Sequence, residues 1–416
     1  MVFRVIEAFS GIGSQAKALK NIGIEFEILA TVDWDINAII AYDIIHNGVP
    51  DLDKYKLKTK EELIKVLSKY TLSSDGKKPL DETAIKRMNR NVMEHLVAAI
   101  DRSKNLVSIT DVRGENLPND IDLFTYSFPC QDLSIAGAWH GNNSGIDRDA
   151  NNRSGMLWEV ERILMERNDL GLTMPKFLLM ENVSNILCNT HKSNFEEWQN
   201  NLEYMGYYNK IYKLNASDFG IPQKRERVYM VSVLCEGNIK KAVKEYIDNN
   251  DLSIPMYINN INVERVGLED ILRVDYSNEV YKKEADESQP NDTESRRKIY
   301  QENDLLYDGN QVLRDVVTTI TTKQDRNPNS GVIEYSAQNE NKSNYRYLTP
   351  RECFMLMGFD EHDFQALIDN NFPVTKSMDF FVASKLYKMA GNSIVVNVLE
   401  AIFRQIEDIK NNILNN

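Results

Sequence analysis

Apolar positions open the chain in a single run. Residues 3–9 read Phe-Arg-Val-Ile-Glu-Ala-Phe, a short strand that leads straight into Ser10-Gly11-Ile12-Gly13. Apolar residues then recur at Ala16, Leu19 and Ile22, the spacing of one helix face, and Gly23 closes that helix. A second apolar run over residues 27–32 ends at Asp33. Strand, glycine turn, helix, strand and acid, in that order, predict the start of a doubly wound, mostly parallel α/β sheet. The pattern returns at residues 121–127, and residues 177–180, Phe-Leu-Leu-Met, have the unbroken apolar character of a strand buried on both faces. A helix is expected over 156–166, and a hairpin-like pair of strands over 207–214 and 227–234.

Three segments break this rhythm. Residues 61–70 and 82–100 read as amphipathic helices joined by a polar stretch at 73–78, so residues 51–105 form a helical insertion, most simply a solvated cap. Residues 132–155 are rich in Gly, Asn, Ser and Asp, the composition of a long functional loop. From 236 to 345 periodicity weakens, polar residues dominate, and 288–297 reads as an exposed loop. Order returns at 346–353, and an amphipathic helix over 393–409 closes the chain. The expected division is a first domain over 1–235, an irregular second domain with a hinge over 236–384, and a segment over 385–416 that returns to the first.

Composition narrows the class. With 416 residues, 42% hydrophobic and 27% charged, the chain is an ordinary globular protein of about two domains. No apolar run reaches the length of a bilayer, and the first strand leaves no room for a secretory signal, so a cytoplasmic protein is expected. The four cysteines, Cys130, Cys188, Cys235 and Cys353, lie far apart with no Cys-x-x-Cys pair, which speaks against a metal site or a disulfide framework. A net charge of −13 counts against a polyanionic partner unless Lys and Arg collect on one face.

The candidate chemistry lies at strand ends. The turn 9–13 lets backbone approach a ligand at a helix N-terminus, and Asp33 is placed to bind a ribose diol. The third glycine of a dinucleotide fingerprint is missing, because Lys17-Ala18 stand there, which weighs against a nicotinamide oxidoreductase. Pro129 stiffens the turn that carries Cys130 just beyond a strand, and Glu181 stands at the end of another. In a parallel sheet such ends face one crevice, so Cys130 and Glu181 converge on one substrate. Arg225 and Arg227, two apart at a strand start, are expected to project to the same side as a clamp on a polar ring or phosphate. In the irregular region, residues 318–326 offer threonines with Lys323, Gln324 and Arg326, side chains able to read base edges or hold phosphates.

Taken in order, these motifs resemble the prokaryotic cytosine-C5 DNA methyltransferases. EAFSGIGS at 7–14 resembles the family's first motif, followed by Asp33-Trp34 and by Thr110-Asp111-Val112. SFPCQDLSIAG at 127–137 is similar to its Pro-Cys-Gln motif, MENV at 180–183 to its Glu-Asn-Val motif, and NASDFGIPQKRERVYMVSV at 215–233 to the two that follow. RYLTPRECFMLMGF at 346–359 and AGNSIVVNVLEAI at 390–402 resemble its last two. The resemblance spans both ends and the middle. It leaves out the insertion and the stretch 236–345, where the family keeps its target-recognition domain.

The resemblance implies S-adenosylmethionine as methyl donor, held by Phe9, Ser10, Gly11, Ile12, Gly13, Asp33, Trp34, Asp111, Val112, Asn392 and Ser393. It implies catalysis by Cys130 as nucleophile on a flipped cytosine, with Glu181, Arg225 and Arg227 at the ring. DNA contacts fall to Gln131, Ser134, Gly137, Arg153, Lys323, Gln324 and Arg326. The implied partner is double-stranded DNA, met by a monomeric prokaryotic or phage enzyme, with a cognate restriction endonuclease acting separately. The alternatives are a tRNA cytosine methyltransferase on the same scaffold and an inactive DNA-binding regulator, the latter disfavoured by the intact Cys130, Glu181 and Arg227. The string FPCQDLS is reminiscent of family members that modify CpG.

Overall fold

The computed structural model describes residues 2–129, 133, 146, 148, 154–254, 263–336 and 339–415. The chain forms two compact units: Met1–Leu214, Glu226–Asn260 and Leu399–Asn416 make the first, and Asn215–Arg225 with Ile261–Val398 make the second.

The first unit is built on a six-stranded sheet. Its strands are β1 (Phe3–Ala8), β2 (Phe26–Val32), β3 (Leu123–Tyr126), β4 (Phe177–Val183), β5 (Tyr207–Asn215) and, after a two-residue β6 (Gln223–Lys224) that belongs to the second unit, β7 (Glu226–Leu234). The order across the sheet is β2-β1-β3-β4-β7-β5. β2, β1, β3 and β4 pair in parallel, so their carboxyl ends lie along one edge, while β7 runs antiparallel to β4. This is the mixed, mostly parallel sheet that the apolar runs predict. Its strands are apolar on both faces because helices cover both: Val5, Ile6, Leu123, Phe124, Phe177, Leu178 and Met180 are fully buried. Trp198, also fully buried, packs edge-on against Tyr126 and donates from Nε1 to its hydroxyl at 3.1 Å, so its polar edge is satisfied inside the core.

Helix α1 (Ser14–Asn21) follows the glycine turn and α2 (Ile36–Asn47) follows β2, capped by the Asp35 side chain on the Asn37 amide. The insertion holds α3 (Asp53–Lys56), α4 (Lys60–Leu67), α5 (Glu82–Arg87) and α6 (Arg90–Arg102). The single helix expected over 82–100 is therefore two. Met88 leaves helical geometry at ψ 141, and Asn89 starts α6 by accepting the Asn91 amide.

The second unit has a three-stranded sheet of β8 (Leu305–Tyr307), β10 (Val332–Glu334) and β11 (Tyr345–Arg346), and a parallel pair of β6 with β9 (Val317–Thr318). Residues 288–297 are not the exposed loop expected. Gln289 is buried, and Thr293 caps a helix over Glu294–Glu302. Helix Val396–Ile409 begins three residues later than expected, after a separate helix over Ala383–Asn392. No helix among the described residues is long and apolar enough to cross a membrane.

Candidate active site

The turn after β1 takes left-handed backbone at Phe9 (φ 56°), Gly11 (φ 55°) and Gly13 (φ 81°), where glycine is cheap and phenylalanine strained. The two glycines do different work. A Cβ on Gly13 would strike His46 and come within 2.7 Å of Tyr42, so Gly13 lets the turn pack on α2. A Cβ on Gly11 would meet nothing within 4 Å, so its backbone faces open space. Beside that space sits the Asp33 carboxylate, accepting from the Gly11 amide at 2.9 Å and the Asp35 amide at 2.8 Å.

Trp34 is half-buried next to it, and its carbonyl accepts the Ser73 amide. Asn105 connects the end of β2 to the segment that carries Asp111. Its Oδ1 accepts from Asp33 N at 3.3 Å and from Val107 N at 2.6 Å, where Val107 stands at φ 66°. Val112 is buried in the sheet's core cluster while Asp111 is exposed. Sequence reasoning missed Asn105, because it acts on the Asp33 amide 72 positions away and no motif marks it.

Glu181 lies on β4 opposite Tyr229, and its carboxylate is 3.4 Å from Arg227 Nε on β7; both side chains are largely buried. Asn182 is buried and donates to the Phe128 carbonyl at 3.1 Å, holding the segment that follows β3 against β4. Asn185 donates to the Leu133 carbonyl at 2.6 Å. Those two anchors flank Cys130 in the chain. Cys130 itself, with Gln131, Ser134, Gly137 and Arg153, lies outside the described residues. Of the other cysteines, burial pushes the thiols of Cys235 and Cys353 up, which suits inert packing groups.

The second unit holds the remaining candidates. Arg225 and Arg227 do not project together as expected, because the chain breaks from strand geometry at Arg225 between β6 and β7. Arg225 is buried and donates from Nη1 to Ile320 O (2.9 Å) and from Nη2 to Gly391 O (3.1 Å) and Ser393 O (2.9 Å). Asn392 is exposed at the end of its helix, and the Ser393 hydroxyl donates to Met389 O at 2.8 Å. Lys323 and Arg326 are exposed, with Arg326 paired to Asp325. Gln324 is fully buried, accepting from Ser330 at 3.2 Å, so it shapes its turn and presents no surface.

Buried titratable groups crowd behind the glycine turn. Burial pushes the Glu7 carboxyl up to about 8, against the Tyr42 hydroxyl and the Ala16 amide that pull the other way. Burial likewise lowers His46 to about 4, and its Nε2 lies 2.9 Å from Ile12 O, so a neutral imidazole holds the turn.

A mostly parallel sheet, a bare glycine turn beside an acid, and a Glu–Arg pair two strands over define a Rossmann-like α/β enzyme with its polar groups gathered at strand ends. A family model described as C-5 cytosine-specific DNA methylase matches residues 78–408. The chain belongs to that family, and its enzyme class is DNA (cytosine-5-)-methyltransferase. It is 35% identical over 410 residues to the orphan methyltransferase M.SssI of Spiroplasma monobiae, covering 97% of both chains. It is 31% identical over 406 residues to the type II methyltransferase M2.ScrFI of Lactococcus lactis subsp. cremoris, covering 97% of this chain and 99% of that one. Among solved structures, the S. pombe Dnmt2 methyltransferase shares the fold at TM-score 0.58 and 18% identity, over 98% of this chain and 99% of the other.

Proposed function

We propose that this protein methylates C5 of a cytosine within a short duplex DNA sequence, using S-adenosylmethionine, with Cys130 as the nucleophile. One observation carries the reading. β4 bears Glu181 with its partner Arg227, and it is the parallel neighbour of β3, whose chain runs through Phe128 and Pro129 towards Cys130 while Asn182 holds the Phe128 carbonyl.

The residues around the glycine turn fit the donor. Open space beside Gly11 adjoins a carboxylate already oriented by two amides, the arrangement a ribose diol needs. Asp33 holds the hydroxyls, Trp34 covers the adenine, and Asp111 accepts from its amino group. Phe9, Ser10, Ile12, Gly13 and Val112 supply the walls, while Asn392 and Ser393 join from the family pattern alone. S-adenosylmethionine, when bound, supplies an electrophilic methyl group.

Cytosine C5 is too weak a nucleophile to take that group unaided, and inside a duplex it is out of reach, so the base is flipped out. The Cys130 thiolate adds to C6, and the ring's electron pair becomes available at C5. Glu181 gives N3 a proton or a strong hydrogen bond as negative charge develops, and Arg227 orients Glu181 and the ring O2. Once C5 has bonded to the methyl carbon and the donor sulfur has left as a neutral thioether, loss of the C5 proton to water expels the Cys130 sulfur as thiolate, N3 gives its proton back to Glu181, and the aromatic ring is restored. Gln131, Ser134, Gly137 and Arg153 contact DNA around the flipped base, and Lys323 and Arg326 read or hold the duplex. The enzyme works as a cytoplasmic monomer, with any partner nuclease acting separately.

The test is transfer of labelled methyl groups from S-adenosylmethionine to duplex DNA. Wild-type protein labels DNA, and Cys130→Ala loses roughly 10⁴-fold or more in rate while still binding DNA and cofactor. Near-normal labelling by that variant would refute the assignment. Sequencing DNA methylated in a host without other cytosine methylation identifies the site.

A further inference from the structure

We propose that Arg225 is a positioning residue for sequence discrimination, fixing the root of the segment 319–326 instead of touching the cytosine. The inference rests on the reading of Lys323 and Arg326 as DNA-facing.

The root of that segment is gripped from one side by β6 and the residue after it. Gln223, fully buried, accepts the Ile320 amide at 2.9 Å and donates to Leu356 O at 2.7 Å. Arg225 takes the carbonyl of the same Ile320 at 2.9 Å, so one residue is held at both its amide and its carbonyl. Thr319 donates to Lys224 O at 2.8 Å, which adds a third tie to the same stretch.

From the other side, the segment rests directly on the helix that ends at Asn392. A Cβ on Gly391 would lie 2.5 Å from the Thr321 carbonyl carbon and would also strike the Thr322 amide. The second fork of Arg225 takes the carbonyls of Gly391 and Ser393. One guanidinium therefore joins the Ile320 backbone to the 391–393 turn.

The tip is built differently. Asn327 N bonds Lys323 O at 2.8 Å, closing a turn that buries Gln324 and exposes Lys323 and Arg326. An anchored root under an exposed tip is how a protein sets the register of side chains against base edges. A planar fork can serve carbonyls in two directions at once, which a lysine ammonium on a flexible stem does not.

Two substitutions test this from opposite sides of the junction, after the wild-type site has been read by sequencing methylated DNA. Methylation rates are measured on duplexes carrying that site and on duplexes with single base-pair changes, and thermal melting confirms folding. Arg225→Lys keeps the charge but not the fork, and Gly391→Ala adds one methyl group that never reaches DNA. Both are expected to lower the ratio of cognate to near-cognate rates by roughly tenfold, the scale of one base contact. For Gly391→Ala the change falls on KM for DNA, with kcat and methyl-donor binding near wild type. If Arg225→Lys does not fold, Gly391→Ala decides alone. Wild-type discrimination in Gly391→Ala, or in folded Arg225→Lys, overturns the proposal. Failure of the wild-type protein to methylate any duplex would instead count against the proposed function.

Discussion

Each unit buries a glutamate completely, and the two make it tolerable in opposite ways. In the first unit Glu7 sits on β1 behind the glycine turn, and burial pushes it up to about 8, so it rests neutral beside the Tyr42 hydroxyl and the Ala16 amide. In the second unit Glu352 faces Arg346 across a bidentate pair at 2.8 and 2.9 Å, both side chains fully buried. Burial would raise Glu352 too, but Arg346 overrides it and holds the carboxyl below the ordinary carboxylate range. The same contrast runs through the surroundings. The first unit is held by long apolar strands and carries a charged pair, Glu181 with Arg227, at the strand ends. The second has short strands and uses arginines as internal struts, with Arg351 on Glu284 at 2.7 Å and Arg225 on three carbonyls. Buried polarity serves architecture in both units, since Arg167 of the first is fully buried on the carbonyls of Gly114, Leu117 and Thr173, and the first unit adds the Glu181–Arg227 pair at its strand ends.

Substitutions can break that contrast, and the largest effect should fall on the chemistry. Glu181→Gln keeps shape and a hydrogen bond but loses the proton donor. It is expected to lower kcat by roughly 10²–10⁴ while leaving unfolding free energy within about 1 kcal/mol, as read by single-turnover assay and denaturant titration. A large loss of stability with intact kcat would make Glu181 a strut like its counterparts in the second unit. Next in size, Arg346→Met strands Glu352 as an unpaired buried charge and should cost about 3–5 kcal/mol. The double variant with Glu352→Leu should recover most of it. Equal losses in the single and double variants would show that packing, not charge, is what Arg346 provides.

The smallest effect sharpens the comparison through pH. Glu7 has its folded pKa raised from 4.5 to about 8, so the folded protein keeps a proton that the unfolded chain releases above 4.5. Its contribution to stability is full below 4.5 and is lost as pH rises towards 8. Glu352 has the opposite sign, since its pKa is lowered, and its contribution is lost as pH falls through the folded value. Glu7→Gln should therefore gain stability relative to wild type between pH 5 and pH 8 in denaturant titrations. Parallel curves for the two proteins would mean that Glu7 is already ionised in the fold.

The comparison also shows what a sequence can disclose. The order of β1, glycine turn, α1, β2 and Asp33 was legible because strand and helix periods are local and left-handed turns select glycine. Glu181 and Arg227 were legible as types at strand ends, but not as a pair, since antiparallel β7 brings them together across 46 positions of chain. Asn182, Asn105 and Gln223 act by reaching distant backbone, and nothing in their neighbours announces it. Arg225 misled because alternation was carried one residue back beyond the start of β7. Gln324 misled because a polar residue in a polar stretch reads as surface, whereas here it fills its own turn.

The central claim, that Cys130 bonds to the target base, is tested most directly by trapping. A duplex whose target cytosine carries fluorine at C5 cannot lose a C5 proton, so the sulfur cannot be expelled after methyl transfer. Incubated with that duplex and S-adenosylmethionine, wild-type protein should give a stable one-to-one adduct, and peptide mass spectrometry should place it on Cys130. Cys130→Ala should bind the duplex and give no adduct. An adduct that persists in Cys130→Ala, or one mapped to Cys188, Cys235 or Cys353, would contradict the account.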